Sequence, residues 1–422
     1  MKKNRSVCCF LMLSLLAGIV SGCGAGEETE SVKNPYAGTV SMEGTPVVDY
    51  AVPRLLPNIL VDTRGYLPGD KKTALVKGSS LPEQFRLVDA DTGETVYTGA
   101  IEDTVYNPEQ ELYSGTADFS EMESEGTYYL ECDMVGQSYR FVIQEQLYNE
   151  LFLEDYERLM EKCAERTLSL PEATALLEAY EWYTGIFPDE DGDEIPDVLQ
   201  ELKEWVAYME ENTAETREEA LYAAILAKFS YLYQKFDHGY ATDCLQRAST
   251  VFGQVQTTIS KDADAFFALT ELYRATGLYT YRNQIADYRS FFENNSSYLE
   301  ETEYLYAVMT YMATRQKVDV ELCETFMGNL MDRAEELSKR YTDMIHPLTA
   351  KNNGSGELLE CAVELSCANY VMNNYQYTKI TEEFLHYLMG RNLESVSFYA
   401  RDEDRTGYLL LLAQLAENHL NQ

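Results

Sequence analysis

The sequence is poor in positive charge. Only 33 Lys and Arg residues stand against 71 Asp and Glu residues, and the formal net charge is −38. An acidic surface repels phosphate backbones, so we expect no nucleic-acid partner and no docking on anionic lipid through a basic patch. The chain is nevertheless 45% hydrophobic, with 33 Tyr and 16 Phe, which is enough to bury large cores. The acidity therefore belongs to a folded surface and not to a disordered tail.

Histidine is also scarce, with four residues, and the nine cysteines follow no zinc-binding spacing. Six cysteines follow residue 23, and all six lie among apolar residues of predicted helices or strands. They are Cys132, Cys163, Cys244, Cys323, Cys361 and Cys367. We interpret them as buried free thiols, although the sequence leaves some disulfide pairing open. The sequence also lacks a glycine-rich phosphate loop, a GxSxG motif and a recognisable Cys–His catalytic pair.

The apolar run Val7–Val20 follows a short basic start and is too short to span a bilayer, as in a signal peptide. It leads into Val-Ser-Gly-Cys, which is similar to a bacterial lipobox and predicts lipid attachment to Cys23. We therefore expect a lipoprotein signal peptide over 1–22 and a polar tether over 23–46. The mature chain, with charge −41, would sit at the bacterial surface and touch the membrane through its lipid alone. The alternative is an ordinary signal peptide that carries a cysteine near its cleavage site.

Two different periods divide the rest of the chain. Residues 47–146 form short alternating segments with turns about every 8–12 residues, such as Asp91-Thr92-Gly93, which predicts a β-sandwich. From residue 147 the apolar period is helical and predicts an all-α domain over 147–422, in a ring or a solenoid. The predicted helices lie near 147–168, 171–184, 196–212, 215–235, 239–258, 261–276, 279–292, 296–315, 318–340, 356–373, 376–390 and 405–420.

Several segments resemble family 9 glycoside hydrolases. Residues 59–74 (ILVDTRGYLPGDKKTA) look like the opening strand of the Ig-like domain that precedes many of these enzymes, and 85–99 and 126–130 resemble its later strands. In the helical part, the similar segments are 176–205, 220–245, 271–277 and, most distinctive, 386–392 (HYLMGRN). The resemblance covers nearly all of 58–420. It implies a multidomain β plus α protein, an Ig-like β-sandwich followed by an (α/α)6-type barrel, that acts on or binds plant-type β-glucan or another polysaccharide.

The resemblance also implies an inverting reaction by two carboxyl groups about 6.5–9.5 Å apart. The family keeps its base, an Asp in an Asp-Ala-Gly-Asp-like segment, in a long insertion between the first two barrel helices. Here that connection is Arg166–Pro171, without a carboxylate. The family's acid is a Glu in an Asn-Glu-like motif before the last helix, where Glu403 is a weak candidate and a solvated loop charge is the plainer interpretation. We therefore expect lost or impaired catalysis in a glycan-binding accessory protein.

Two alternatives remain open. One is an active inverting hydrolase of the endoglucanase type with relocated carboxylates, in which Asp402 or Glu403 is the acid and a residue of 189–197 is the base. The other is a cell-envelope scaffold that uses the barrel to bind protein. The sequence gives neither the glycan nor the oligomeric state.

The remaining candidate residues are few. Asp189, Asp191 and Asp193 could bind a structural calcium ion, although the loop is no EF-hand and Asp193 could instead cap the next helix. We expect no other cofactor. Ligand-binding candidates are Trp182, Tyr183, Arg391 and Asn392, although core packing is the commoner use of Trp182.

Overall fold

The computed structural model of the chain describes residues 56–108, 110–210, 216–255, 262–341, 355–392, 395–401 and 406–420. They contain a β-domain and a helical domain that belong to one compact unit. Cys23, the predicted signal peptide, the tether and residues 402–405 lie outside the described residues. Within the described ranges, no helix combines the length and the apolar character that a membrane span requires.

The β-domain is a sandwich of two antiparallel sheets that share one long strand. Its strands are β1 Ile59–Leu60, β2 Thr73–Gly78, β3 Gln84–Asp89, β4 Thr95–Asn107, β5 Leu112–Asp118, β6 Gly126–Cys132, β7 Gly136–Gln137 and β8 Phe141–Ile143. One sheet has the order β1-β2-β5-β4, and the other has β4-β3-β6 with β7 and β8 both paired to β6. Strand β4 passes from one sheet to the other after Ala100, and its register with β5 shifts between Glu102 and Val105. The predicted sandwich is confirmed.

Alternating side chains of these strands form the β-domain core. In β6, for example, Tyr128, Leu130 and Cys132 are buried while their neighbours are not. Tyr66 lies at the centre, with the rings of Phe119 and Phe141 edge-on at 5.3 Å. The core is therefore built from the residues that the period of two indicated.

The helical domain begins at Leu147. Its helices are α1 Leu147–Ala164, α2 Leu170–Trp182, α3 Asp197–Met209, α4 Thr216–Tyr233, α5 His238–Val255, α6 Ala263–Thr276, α7 Tyr279–Asp287, α8 Arg289–Asn294, α9 Thr302–Ala313, α10 Val320–Tyr341, α11 Ser355–Val371, α12 Tyr375–Leu388, α13 Phe398–Arg401 and α14 Thr406–Leu420. All twelve predicted helices are found among the described residues. The one expected near 279–292 is divided at Tyr288, and α13 is an additional short helix.

Helices α2, α4, α6, α9, α11 and α14 each contact the next and close into a ring. They run parallel, because Lys228 late in α4 meets Glu178 late in α2, and Gln414 of α14 donates to the Tyr183 hydroxyl just after α2. The other long helices alternate with them along the chain and pack outside. This is the (α/α)6-type barrel, and not a solenoid. Ring helices such as α6 are buried on nearly all sides, whereas outer helices such as α10 bury one stripe.

A buried contact joins the two domains. His386 Nδ1 of α12 lies 2.8 Å from Asp62 Oδ2, just after β1, and each side chain is 2% exposed. The other oxygen, Asp62 Oδ1, accepts the backbone N–H groups of Arg64 and Gly65 at 2.7 and 3.2 Å. One carboxylate therefore shapes the turn of the β-domain and binds the helix, and a buried charge is tolerated only with such partners.

The chain just after α12 lies against the same turn. Thr63 donates twice to Met389 O, from its backbone N at 3.1 Å and from Oγ1 at 2.6 Å. Gly390 has a φ of +135°, and a Cβ there would lie 2.8 Å from Thr63 Cγ2, so the position requires glycine. Arg391 Nη1 donates to Thr73 Oγ1 at 2.6 Å. Two segments that carry the family resemblance thus meet at the domain interface.

Replacing Asp62 should weaken the whole unit. Asp62→Ala leaves the N–H groups of Arg64 and Gly65 and the ring of His386 without their acceptor, so we expect the free energy of unfolding to fall by about 3 kcal/mol. Urea unfolding followed by circular dichroism measures this. The matched control is Asp91→Ala in the exposed hairpin turn, which should stay within about 0.5 kcal/mol of the parent. Equal effects of the two substitutions would contradict the role given to Asp62.

Candidate functional site

The connection between α1 and α2 is short and lies at the amino-terminal ends of the ring helices. It runs from Glu165, which is exposed, to Ser169. Ser169 caps α2, and the Glu172 carboxylate accepts the Ser169 N–H at 3.0 Å. Burial alone would raise the pKa of Glu172, but hydrogen bonds from Lys162 and Ser169 outweigh it and lower that pKa. Glu172 is thus an ionised capping residue, and this connection holds no facing pair of carboxyl groups.

The relocated-carboxylate hypothesis combines the described segment 189–197 with Asp402 or Glu403. The loop 189–197 follows the carboxyl end of α2, whereas residues 402–405 precede Thr406, which begins α14. Gly185 lies against the carboxylate of Glu417 near the other end of α14, and that helix has 15 residues, or about 22 Å. An inverting pair stands about 6.5–9.5 Å apart. Asp402 and Glu403 lie outside the described residues, so an acid from 402–405 acting with a base from 189–197 stays a prediction.

The acidic loop after α2 gathers three carboxylates, and they are not the predicted three. Oxygen atoms of Asp189, Asp191 and Asp197 lie within 4.8 Å of one another, so Asp197 takes the place expected of Asp193. Oxygen ligands of this kind suit Ca²⁺. All three also accept backbone N–H groups of their own loop. A structural calcium ion here stays a prediction.

Asp193 serves the loop in another way. Its Oδ1 accepts hydrogen bonds from Ile195 N at 2.8 Å and from Gln200 Nε2 at 3.0 Å. It does not cap α3, whose N-cap residue is Pro196 with no side-chain cap. The predicted cap is therefore wrong, and Asp193 instead ties the loop to the first turns of that helix.

Trp182 and Tyr183 lie at the carboxyl end of α2. The half-buried Trp182 ring stacks on Tyr370 at 5.0 Å and meets Tyr306 edge-on at 6.0 Å. Trp182 and Tyr370 also line an apolar cavity of about 230 Å³. Tyr183 is buried, and its hydroxyl accepts a hydrogen bond from Gln414 Nε2 at 2.8 Å. These rings pack against one another, which leaves Tyr183 without an exposed face for a sugar.

Arg391 and Asn392 belong to the domain interface. Besides its contact with the β-domain, Arg391 pairs with Glu383. Asn392 Nδ2 donates to Tyr387 O at 2.8 Å and to Val396 O at 2.7 Å. Both side chains are buried, and their polar groups are used within the protein. Neither side chain therefore presents an exposed polar group to a ligand, which is what the predicted ligand role requires.

The described residues instead form a groove between the turn before β2 and helices α12 and α14. It consists of two adjoining cavities of about 540 and 970 Å³. Both cavities are lined by Gly69, Asp70, Tyr375, Lys379 and Glu382. Cavities of this size with a few convergent polar groups are typical of ligand sites. We call this feature the interdomain groove.

Two carboxylates and a lysine lie together in the interdomain groove. Lys379 Nζ is 2.7 Å from Glu382 Oε2 and 3.7 Å from Asp70 Oδ1. Burial, followed by the charge of Asp70, raises the pKa of Glu382 to about 7. The ring of His419 also approaches both carboxylates, and burial lowers its pKa. The groove thus contains titratable groups on both sides of the domain boundary.

Tyr375 provides an exposed ring at the groove. It is the first residue of α12, its side chain is 75% exposed, and Lys379 Nζ lies 5.3 Å from its ring centre. An exposed aromatic face beside hydrogen-bonding side chains is the kind of surface on which a sugar ring stacks. The sequence analysis missed Tyr375, Asp70, Glu382 and His419. The one available signal was that Tyr375 and Lys379 fall outside the buried stripe of α12.

A second set of charges is buried inside the ring, in the carboxyl halves of α2, α4 and α6. Lys228 Nζ lies 2.8 Å from Glu178 Oε1 and 3.4 Å from Glu271 Oε1, and it also pairs with Glu181. Arg274 pairs with Glu181 and Glu271. Three carboxylates thus surround two cations, which leaves one negative charge in excess.

A proton on Glu178 removes the excess charge. Burial is the largest effect and raises the pKa of Glu178 to about 8, whereas Lys228 and Arg274 outweigh burial and lower the pKa of Glu181 to about 2. Divergent carboxyl pKa values are typical of acid–base pairs. Glu178 is, however, 0% exposed, and both carboxylates contact the same lysine. We therefore assign this cluster to the barrel core and not to catalysis.

The proton on Glu178 should make stability depend on pH. The pKa is about 8 in the folded state against 4.5 ordinarily, so this contribution to stability is lost as pH rises from about 4.5 through 8. Glu178→Gln is neutral at every pH, so its melting temperature relative to the parent should be higher at pH 8.5 than at pH 5.5. Glu181→Gln removes an ionised partner and should lower the melting temperature at both. A Glu178→Gln difference that is the same at both pH values would refute protonation.

The chain matches two known protein families. The family described as "Cellulase N-terminal ig-like domain" matches residues 56–137, which cover the described strands through β7. The family described as "Glycosyl hydrolase family 9" matches residues 179–401, more than half of the chain. A search of curated proteins found no match.

Solved structures share the fold at low identity. A metagenome-derived glycoside hydrolase family 9 endoglucanase is 18% identical, with 81% of this chain and 84% of that chain covered and a TM-score of 0.64. A family 9 protein from Bacteroides ovatus is 14% identical, with 86% and 98% covered and a TM-score of 0.64. A mutant thermostable endoglucanase from Alicyclobacillus acidocaldarius is 15% identical, with 81% and 83% covered and a TM-score of 0.62. With its Ig-like domain and its closed helical ring, the chain belongs to glycosyl hydrolase family 9.

Proposed function

We propose that this chain binds a neutral polysaccharide of the β-glucan type and that its hydrolytic activity is lost or impaired. The observation that carries the proposal is the interdomain groove, with the exposed ring of Tyr375 beside Lys379, Asp70 and Glu382. Endoglucanases among the similar structures favour a glucan as the ligand. The net charge of −38 disfavours anionic polysaccharides, because like charges repel.

The short α1–α2 connection supports the loss of catalysis. The family's base is expected there, but residues 165–171 contain one carboxyl group, that of the exposed Glu165, and the adjoining Glu172 is a capping residue. Loss of a general base or a general acid typically costs about 10²–10⁴-fold each. A barrel without the pair keeps its scaffold and its surface, and binding is the function that such a surface can retain.

The groove can be tested by removing its exposed ring. Tyr375→Ala should weaken binding of a soluble β-glucan roughly tenfold, because a stacking contact of about 1–1.5 kcal/mol is lost. Affinity electrophoresis and titration calorimetry measure the change. The matched control is Tyr279→Ala, since Tyr279 is 70% exposed and also begins a helix, α7, outside the groove. The control should bind like the parent.

The same samples test the loss of hydrolysis. Incubation of the parent with the bound glucan should release no new reducing ends above the level of a heat-treated sample. Undiminished binding by Tyr375→Ala would place the glycan elsewhere on the protein. Steady release of reducing ends by the parent would show that the family's chemistry persists and would end this part of the proposal.

We further propose that lipid on Cys23 anchors the mature chain to the bacterial surface. The support is the order of basic start, apolar run and lipobox-like residues in the sequence. In cells that process lipoproteins, the parent should partition into the detergent phase and incorporate labelled palmitate, and Cys23→Ser should do neither. Cys9→Ser, within the apolar run, is the matched control and should behave like the parent. Labelling of Cys23→Ser would contradict the assignment.

A further inference from the structure

Three side chains from distant parts of the chain converge in the interdomain groove. Asp70 comes from the turn before β2, Glu382 from α12 and His419 from α14, and one ligand-type atom of each lies within 4.8 Å of the other two. The Asp70 and Glu382 side chains are 5% and 6% exposed. We propose that these three residues bind a divalent transition-metal ion such as Zn²⁺. The ion would tie the β-domain to the last helix of the barrel, and this inference does not depend on glycan binding.

Two buried polar atoms at this place lack a partner. Asp70 Oδ2 accepts no hydrogen bond from any described residue, and the Tyr148 hydroxyl has no hydrogen-bond partner among these residues. Tyr148 is 2% exposed and lies against the ring of His419. An unpaired buried carboxylate oxygen is expensive, and a bound cation is one of the few groups that can satisfy it.

Neighbouring residues hold Asp70 and His419 in place. Lys72, which is buried, donates from Nζ to the carbonyl oxygens of Leu67 at 3.3 Å and Asp70 at 2.9 Å, and this fixes the turn that carries the Asp70 carboxylate. His419 stacks on the ring of Tyr148 with centres 5.6 Å apart and planes 29° apart. A site with its ligands oriented in advance binds metal at a smaller entropic cost.

The donor set selects the class of metal. Two carboxylate oxygens with one imidazole nitrogen suit Zn²⁺, Co²⁺ or Mn²⁺, whereas Ca²⁺ prefers oxygen ligands alone. Bonds of about 2.0–2.1 Å in a tetrahedron place ligand atoms about 3.3 Å apart. The three atoms therefore need to approach by an ångström or so, and a fourth position stays open for water.

Lys379 would compete with a metal ion for the carboxylates of Asp70 and Glu382. Its Nζ contacts one oxygen of Glu382 and approaches Asp70 Oδ1, the oxygen that is not the unpaired one. Its side chain is 31% exposed and already lies near the ring of Tyr375, so the ammonium can move toward solvent when a divalent ion enters. Removal of this cation should therefore strengthen metal binding.

Metal titration of the full-length chain without glycan tests the inference. We expect one equivalent of Zn²⁺ by calorimetry, and Co²⁺ absorption bands typical of nitrogen and oxygen ligands without the charge-transfer band of a thiolate. Asp70→Asn and His419→Gln should bind at least roughly tenfold more weakly. Lys379→Met should bind more tightly than the parent. Zn²⁺ should raise the melting temperature of the parent and not that of Asp70→Asn.

The controls separate this site from other metal-binding groups. His238→Gln removes an exposed histidine outside the groove and should leave the titration unchanged. Asp191→Asn alters the acidic loop and should also leave Zn²⁺ binding unchanged. Parent-like binding by both Asp70→Asn and His419→Gln, a thiolate band with Co²⁺, or loss of binding in His238→Gln would each overturn the proposal. Melting curves without metal show whether each variant is folded.

Discussion

The buried contact between Asp62 and His386 sets the relation between the two domains, and the interdomain groove depends on it. The same carboxylate accepts the backbone N–H groups that shape the turn after β1. One residue therefore orders the β-domain and also contacts α12. Gly390 then allows backbone to approach backbone where a Cβ would collide with Thr63. With that joint fixed, Asp70 is brought to α12 and α14, and the groove follows as the space between them.

Electrostatics divide this acidic molecule into neutral interiors and a negative surface. Inside the ring, Lys228 and Arg274 offset two of three carboxylates, and the proton on Glu178 offsets the third. In the groove, Lys379 pairs with Glu382 and lies near Asp70, and the buried Lys72 is a second cation near Asp70. Low dielectric makes an excess of charge costly, and protons or metal ions are the means of reducing it. The surface charge instead stays solvated and repels anionic ligands.

The family scaffold and the family chemistry depend on different parts of this chain. The scaffold depends on the apolar faces of the ring helices and on the domain joint, and both are present. The resemblance implies a catalytic residue in the connection between α1 and α2, at the amino-terminal ends of the ring, and there Ser169 and Glu172 form a helix cap. The segment 386–392, which carries the resemblance, forms part of the joint between the domains.

The sequence by itself determined the elements and their kind. The helical spacing of Leu221, Ile225 and Phe229 requires a buried helix, and the turn at Gly93 requires a hairpin, because both patterns are local. The family resemblance added the closed ring, which periodicity left open. Only the tertiary structure decided the site. Asp70 and His419 stand at opposite ends of the described chain, and no local period relates them. Their approach results from the docking of one folded domain on another, and side-chain burial and pairing there depend on contacts that no short stretch of sequence contains.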